Sequence, residues 1–207
     1  MKSAAFGRLV AGPVGSGKTT SCIMELFRRS LEQEKAPDGY RYTRFAVVRQ
    51  TLKQLKDTVL KDIMKELEGL CTYRVTDNLI LVEFGDIRSE WLLIPLEDPE
   101  DQRRLLSMQL TGAWMSECIE MQVKLVAALS GRCGRYPSGN KGYCTWRGVI
   151  ADTNMPSEGS DWHKFMTDPA NTEWEIFLQP GGLEEHAENL MWLNQTAESV
   201  KLPLDSP

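Results

Sequence analysis

The chain has 207 residues, of which 42% are hydrophobic and 26% are charged, and its formal net charge is −5. This length suits one α/β domain or two small ones, and such a domain folds without disulfides or structural metals. The acidic balance argues against a protein whose whole surface binds nucleic acid, but it leaves a local contact open.

Cysteine usage and hydropathy argue against further classes of protein. The five cysteines form no C-x-x-C pair and only two histidines accompany them, which argues against a zinc site and indicates free thiols in a reducing cytoplasm. No apolar run approaches the roughly 20 residues of a membrane helix, and the N-terminus lacks the apolar stretch of a signal peptide. We therefore expect no association with a membrane.

The first predicted unit is a strand, a glycine-rich loop and a helix. Residues 8–11 have the character of a strand end, and residues 18–34 carry apolar side chains at helical spacing. Between them, residues 12–19 (GPVGSGKT) match the pattern G-x-x-x-x-G-K-[ST] at every fixed position. A structural glycine turn is the alternative, but a match between a strand and a helix rarely has that role.

This loop predicts a binding site for the phosphates of a nucleotide, with ATP as the expected ligand. Gly15 and Gly17 allow the backbone to turn so that N–H groups point at phosphate oxygens, and the helix N-terminus adds partial positive charge. Lys18 is expected to reach the β- and γ-phosphates, and the Thr19 hydroxyl to bind Mg²⁺. The predicted nucleotide-binding residues of the loop are Gly12, Pro13, Val14, Gly15, Ser16, Gly17, Lys18, Thr19 and Thr20.

The middle of the chain continues the alternation and then changes period. Residues 45–48 predict a buried strand, and residues 51–68 an amphipathic helix. An antiparallel insertion follows, with turns that predict its strands at 72–75, 79–84 and 88–96.

The last part returns to alternating strands and helices. Its predicted elements, in order, are a strand at 113–116, a helix at 119–129, a loop at 130–145, strands at 148–151 and 173–178, and a helix at 184–200. The chain as a whole therefore predicts an α/β fold with a mostly parallel sheet covered by helices on both faces.

One stretch of the chain is locally basic. Residues 121–151 contain no acidic residue and five basic ones. A solvated surface and a phosphate-binding stretch are both compatible with this pattern. On the second interpretation the candidate DNA-binding residues are Arg132, Arg135 and Lys141.

A phosphate-loop ATPase also needs an acidic residue at the end of a neighbouring strand. Glu117 ends one short apolar strand, and Asp152 ends another that fits the apolar-run-then-Asp pattern better. Glu83 is a third candidate, but it lies in the antiparallel region and is interpreted as a strand-face residue. The pattern by itself favours Asp152.

Six segments, taken together, resemble the ATPase domain of the large terminase subunit of tailed bacteriophages, the motor that packages DNA into procapsids. They are residues 12–20, 47–58, 103–117, 127–138, 148–156 and 179–182. Their order and spacing carry the resemblance more than any one of the later motifs does. The resemblance implies a P-loop fold of the additional-strand type, in which Mg²⁺-dependent ATP hydrolysis drives the translocation of double-stranded DNA.

The resemblance also implies roles for residues outside the phosphate loop. Glu117 becomes the catalytic carboxylate, and it shares the metal site with Thr19 and Ser116, although the family commonly has Asp at the position of Ser116. A serine hydroxyl can bind the metal or its water but brings no charge. The resemblance further implies that Gln50 binds the nucleotide and that Thr153 and Asn154 couple hydrolysis to movement. It also implies that Arg104 or Arg103 acts as a catalytic arginine in the site of a neighbouring subunit.

Partners and organisation follow from the same resemblance. It implies double-stranded DNA, the portal protein and the small terminase subunit as partners, and an active homo-oligomeric ring, a pentamer, built from a chain that is monomeric in solution. The site of action would be the host cell cytoplasm, with transient attachment to the procapsid and absence from the mature virion. Residues 1–200 would form the ATPase domain, and residues 201–207 would start a linker to a nuclease domain that this chain lacks, so we expect no DNA cleavage.

Two other classes of protein stay open at the level of sequence. A helicase-like DNA-dependent ATPase would need a second motor domain or a strand-separating element. A P-loop kinase for a small molecule would hydrolyse ATP slowly without its substrate and would ignore DNA.

Overall fold

The structure is a computed structural model that describes residue 3 and residues 5–97 and 99–179. These residues form an eight-stranded sheet with the strand order β3-β4-β5-β2-β6-β7-β1-β8. The strands are β1 (Gly7–Ala11), β2 (Arg41–Arg49), β3 (Cys71–Arg74), β4 (Leu79–Phe84), β5 (Ile87–Pro95), β6 (Gly112–Met115), β7 (Gly148–Thr153) and β8 (Trp174–Leu178).

The sheet is mostly parallel, as predicted. Strand β4 runs antiparallel to both of its neighbours, β3 and β5, and the pairs among β5, β2, β6, β7, β1 and β8 are all parallel. The predicted antiparallel segment is therefore confirmed. Strand β5, however, also belongs to the parallel sheet through its pairing with β2.

Helices cover both faces of this sheet. They are α1 (Lys18–Glu32), α2 (Leu52–Gln54), α3 (Leu60–Glu66), α4 (Pro99–Ser107), α5 (Leu125–Ser130) and α6 (Asp161–Thr167). A π-helical turn, Leu55–Val59, joins α2 to α3, so the predicted helix at 51–68 is one continuous helical segment. A capping box starts it, because the Thr51 hydroxyl accepts from the Gln54 backbone N–H and the Gln54 side chain accepts from that of Thr51.

Each face of the sheet has its own apolar core. On one face, α1 and the α2–α3 segment pack on Phe45, Trp91 and Trp114. On the other face, α4, α5 and α6 contribute Leu105, Leu129 and Trp162. The fold class predicted from sequence, an α/β sheet covered on both faces, is confirmed.

The position of β7 decides the subtype of the fold. Strand β7 lies between β1, which leads into the phosphate loop, and β6, which leads to Glu117. This is the additional-strand arrangement. Because these strands are parallel, the residues that follow them meet at one edge of the sheet.

The structure corrects the predicted helix at 119–129. A short 3₁₀ turn, Cys118–Glu120, comes first, and α5 begins only at Leu125. The backbone at Met121 is extended, and its carbonyl accepts a hydrogen bond from the Trp162 indole N–H at 2.7 Å. That carbonyl is therefore used in a tertiary contact at the point where the predicted helix is interrupted.

Helices α4 and α6 have no counterpart in the sequence prediction. The predicted helix at 184–200 and the predicted domain boundary at 201 lie outside the described residues. Within the part of the chain that the structure describes, no helix has the length and apolar character to cross a membrane.

Candidate nucleotide-binding and catalytic site

The phosphate loop connects β1 to α1 and turns on two glycines. Gly15 and Gly17 have φ angles of 77° and 78°, a region that residues with a Cβ rarely adopt. The loop is also tied to the neighbouring strand, because the Gly12 N–H donates to the Thr153 carbonyl at 3.2 Å. The backbone expected from the G-x-x-x-x-G-K-[ST] pattern is therefore present at the carboxyl end of β1.

Lys18 is held inside this loop with its side chain buried. Its ammonium group donates to the carbonyls of Gly12 and Pro13 at 2.9 and 2.7 Å and to the Asn154 side-chain oxygen at 3.2 Å. Burial lowers its pKa, and the negative charges of Glu117 and Asp152 act in the opposite direction. All three acceptors are neutral, so a phosphate oxygen would give this cation a stronger, charge-assisted partner.

Glu117 has a strained backbone at the end of β6. Its φ and ψ are 49° and 56°, in the left-handed region. Among the described residues, Asn78 is the other non-glycine with a positive φ, and it sits in a hairpin turn where asparagine is favoured. Glutamate has no such preference, and this conformation costs roughly 1–3 kcal/mol. Strain of this kind is typical of functional positions, which supports Glu117 as the catalytic carboxylate.

Asp152 lies on β7 beside the phosphate-loop strand and is fully buried. One carboxylate oxygen, Oδ1, accepts a hydrogen bond from the Trp114 indole N–H at 2.5 Å. The other, Oδ2, is buried without a hydrogen-bond partner. Burial raises the pKa of Asp152 to about 7, and the negative charge of Glu117 also raises it. The hydrogen bond from Trp114 and the positive charge of Lys18 lower this pKa.

The two acidic residues that compete for the catalytic role, Glu117 and Asp152, belong to the same site. Glu117 and Asp152 are close enough for each charge to act on Lys18, and the charge of Glu117 acts on Asp152. Ser116, just before Glu117, is also buried. The two acidic candidates that compete in the sequence therefore lie at the ends of adjacent strands, β6 and β7.

The Asp152→Asn variant is expected to stabilise the fold at pH 8. The pKa of Asp152 is raised in the folded state from its ordinary 3.8 to about 7, so the folded chain keeps a proton that the unfolded chain releases between these values. Stability from this group is present below about pH 4 and is lost as the pH rises to 7. The amide has no charge to bury and still accepts from Trp114, so we expect a gain on the order of 1–4 kcal/mol at pH 8.

Denaturation of both proteins at pH 5 and pH 8 measures this effect. The gain from Asp152→Asn should be smaller at pH 5 than at pH 8. Asp161→Asn is the matched control, because the Asp161 side chain is 87% exposed and its replacement should change little. A lower unfolding free energy for Asp152→Asn at pH 8 would contradict the prediction.

The two predicted coupling residues occupy different environments. The Asn154 side chain contacts Lys18, at 3.2 Å. The Thr153 side chain is buried beside Cys118, and its backbone carbonyl accepts a hydrogen bond from the phosphate loop. The side chain placed to respond to Lys18 is therefore that of Asn154.

Other predicted nucleotide-binding residues differ in their surroundings. The Thr20 hydroxyl donates to the Glu66 carboxylate on α3 at 3.3 Å, and Val14 is exposed. Gln50 is exposed after the end of β2, which β6 and β7 separate from β1. Three strand spacings correspond to about 14 Å, and nucleotide binding by Gln50 stays a prediction.

Arg103 and Arg104 lie exposed on α4, an element that the sequence did not predict. The buried face of α4 presents Leu105 to the core that α5 and α6 share, which is on the opposite side of the sheet from α1. The helix that carries both arginines therefore packs on the face of the sheet opposite α1.

The predicted loop at residues 130–145, called the basic loop below, lies at the opposite edge of the sheet from the phosphate loop. It is joined to the start of β6 through the Gly134 N–H, which donates to the Thr111 carbonyl at 3.2 Å. Arg132 donates to the Leu106 carbonyl at 2.6 Å, and the Lys141 ammonium lies 4.8 Å from the centre of the Tyr42 ring. Arg135 is exposed, and at this edge it does not reach the nucleotide site of its own chain.

The residues at the strand ends fit a magnesium ion that a nucleotide would bring. Among the described residues, no group of three or more His, Cys, Asp and Glu side chains is arranged to hold a metal ion. Mg²⁺ is normally bound by one or two carboxylates together with phosphate oxygens and waters. The hydroxyls of Thr19 and Ser116, the Glu117 carboxylate and the unpartnered Oδ2 of Asp152 provide that kind of oxygen ligand.

Comparison of the sequence finds no match, either to a protein-family model or to a curated protein. Comparison of the structure does find relatives. They include the large terminase of a thermophilic bacteriophage in complex with ADP, with a TM-score of 0.62 and 15% identity over 84% of this chain and 40% of that chain. This chain therefore spans less than half of the length of that terminase.

Two further structures are similar over nearly all of this chain. The large terminase ATPase domain of Thermus phage P74-26 has a TM-score of 0.57 and 14% identity, covering 95% of this chain and 84% of that one. The bacteriophage Phi-29 genome packaging motor assembly has a TM-score of 0.55 and 15% identity, covering 97% and 62%. At these identities the likeness is one of fold, and this chain has the α/β P-loop fold found in the ATPase domains of phage large terminases.

Proposed function

We propose that this chain is the ATPase motor domain of a phage large terminase and that it couples ATP hydrolysis to the translocation of double-stranded DNA into a procapsid. The observation that carries the proposal is the meeting of Lys18, Glu117 and Asn154 at one edge of an additional-strand sheet. Its partners would be DNA, the portal protein and the small terminase subunit. It would act in the host cytoplasm as a ring, a pentamer by resemblance to the family.

The chemistry is the in-line attack of water on the γ-phosphate of ATP, which yields ADP and phosphate. Glu117 orients the water and accepts its proton. Lys18 exchanges the carbonyls of Gly12 and Pro13 for phosphate oxygens and so neutralises charge that develops in the transition state. When bound, Mg²⁺ would supply positive charge that stabilises the transferring phosphoryl group. Thr19, Ser116 and Glu117 would hold it.

The interaction between Lys18 and Asn154 gives a route from hydrolysis to movement. A phosphate that draws the Lys18 ammonium away also ends its hydrogen bond to the Asn154 side chain. Asn154 follows directly after β7, so the presence of the γ-phosphate would be communicated to the segment that follows this strand.

The ATPase rate with and without double-stranded DNA tests the proposed function. A packaging motor should be stimulated by duplex DNA. A small-molecule kinase should be indifferent to it and should transfer the phosphate to an acceptor other than water. A helicase-like motor should separate strands, and strand separation by this chain would contradict the proposal.

Glu117→Gln should bind ATP and hydrolyse it at least about a hundredfold more slowly, which is a typical loss for a positioned acid–base group. Asp152→Asn should reduce turnover less at saturating Mg²⁺. Phosphate release and nucleotide affinity, measured together, separate the two effects, and Glu68→Gln is the control at an exposed glutamate. If Asp152→Asn abolishes turnover and Glu117→Gln does not, the roles of the two acids are reversed.

Charge reversal at Arg135 should weaken DNA binding by a similar factor for every sequence and should flatten its salt dependence, as the loss of a phosphate contact does. Because Arg132 and Lys141 have partners within the chain, their reversal should affect binding less. Binding curves over a salt series measure this, with Lys53→Glu, at an exposed position of α2, as the control. Unchanged binding by all three variants would mean that the loop is an ordinary solvated surface.

A further inference from the structure

We propose that Asp152 brings to the magnesium site the negative charge that Ser116 does not carry, in addition to the charge of Glu117. This inference rests on the proposed function, because it assigns a ligand to the same nucleotide site. On this assignment, the carboxylate charge that the terminase family commonly has at the position of Ser116 is provided by a residue of the neighbouring strand, β7.

The register of the sheet places the two residues side by side. Met115 on β6 pairs with Ala151 on β7, so the next residue on each strand is Ser116 and Asp152, and both are buried, at 2% and 0% exposure. Trp114, two residues before Ser116, belongs to the core on the α1 face. Side chains alternate along a strand, so Ser116 and Asp152 point to the face on which the phosphate loop continues into α1.

The contacts of Asp152 leave one oxygen unused. Oδ1 accepts from the Trp114 indole, and Oδ2 is buried with no hydrogen-bond partner. No ion pair includes Asp152 within the described part of the chain, and the cations whose charge acts on it are Lys18 and Arg49. A buried carboxylate oxygen without a partner is costly and rare, which indicates that its partner is a ligand.

The hydrogen bond to Trp114 does not by itself account for a carboxylate. It needs one neutral acceptor, which an asparagine amide would provide without burying a charge. The charge of Asp152 is useful to a cation, and Mg²⁺ prefers carboxylate and water oxygens at this kind of site. A carboxylate on β7 therefore replaces, at the same level of the sheet, the charge that a carboxylate on β6 would bring.

Calorimetric titration of the folded chain with ADP, over a series of Mg²⁺ concentrations and in EDTA, tests this assignment. Asp152→Asn should raise the Mg²⁺ concentration that half-maximally tightens ADP binding by about tenfold or more, a typical loss for a group that supports a metal. ADP affinity in EDTA should stay close to that of the parent chain. Electron paramagnetic resonance of Mn²⁺ in the presence of ADP gives a second readout. The fraction of free Mn²⁺ should be larger with Asp152→Asn than with the parent chain.

The decisive variant moves the carboxylate back to β6. Ser116→Asp combined with Asp152→Asn should restore most of the Mg²⁺ dependence, because charge is returned to the adjacent position. Trp114→Phe, which removes the hydrogen bond but no charge, should leave the Mg²⁺ dependence within about threefold of the parent, well inside a tenfold metal effect.

Two results would overturn the inference while leaving the proposed function in place. One is an unchanged Mg²⁺ dependence in Asp152→Asn, and the other is an equal loss of ADP affinity with and without Mg²⁺. Failure of the parent chain to bind ADP at all would instead overturn the proposed function, and this inference with it.

Discussion

Replacement of Lys18 by alanine is expected to abolish ATP hydrolysis and to weaken nucleotide binding strongly. The ammonium group is the one positive side chain of the loop, and it lies within 2.7–3.2 Å of three neutral acceptors. Each charge-assisted hydrogen bond to a phosphate is worth about 1.5–3 kcal/mol, so the loss of two lowers affinity at least a hundredfold. The same charge is then missing from the transition state.

Phosphate release and calorimetric ADP binding measure both effects of Lys18→Ala. Lys53→Ala is the matched control, because Lys53 is exposed on α2 and should not affect either quantity. A thermal melt establishes that the variant is folded, since Lys18 also holds Gly12, Pro13 and Asn154 together. Turnover like that of the parent chain in a folded Lys18→Ala protein would end the interpretation of residues 12–19 as a phosphate loop.

The sequence predicted the parts of the fold in which the chemistry of a few residues decides the backbone. The positive φ of Gly15 and Gly17 is a conformation that glycine adopts readily, and Gly17 is a fixed position of the phosphate-loop pattern. The buried strands follow from apolar runs such as that of β7. Helix α4 could not be predicted in this way, because Pro99–Ser107 is mostly charged and polar. Helix α6 did carry a signal, the Ser160 cap that accepts from the His163 N–H.

The choice between Glu117 and Asp152 could not be made from sequence, because periodicity does not tell which strands become neighbours. The two residues are separated along the chain by α5 and the basic loop, and only the pairing of β6 with β7 brings them together. The hydrogen bond from Trp114 to Asp152 likewise depends on that pairing. Both acids could be named from the sequence, but their relation in space depends on the sheet.

The same limit applies to residues whose roles depend on a neighbour. The resemblance to terminases implied that Gln50 binds the nucleotide. Its strand lies three positions away from β1, and this role stays a prediction. The resemblance also implied that Arg103 or Arg104 acts in the nucleotide site of an adjacent subunit. Both residues are exposed on α4, which packs on the face opposite α1, and exposed side chains are accessible to a neighbouring subunit.

If Arg104 completes the site of a neighbouring subunit, Arg104→Ala should lower the ATPase rate of the assembled ring by about 10³–10⁵, the value of an arginine finger in other phosphate-loop enzymes. The rate of the parent chain should then rise more steeply than linearly with protein concentration, because dilute monomers hold an incomplete site. Arg74→Ala is the matched control at an exposed arginine on β3.

Mixing two inactive variants gives the sharper test of this arrangement. Arg104→Ala retains its phosphate loop and Glu117, and Lys18→Ala retains its arginine. Each should be nearly inactive alone, and together they should recover part of the activity, because some interfaces join an intact loop to an intact arginine. No recovery in a mixture shown to be assembled would indicate an arginine that acts within one subunit. Normal activity of both Arg103→Ala and Arg104→Ala would remove this pair from the mechanism, because an arginine that completes the site cannot be replaced by a methyl group without loss of rate.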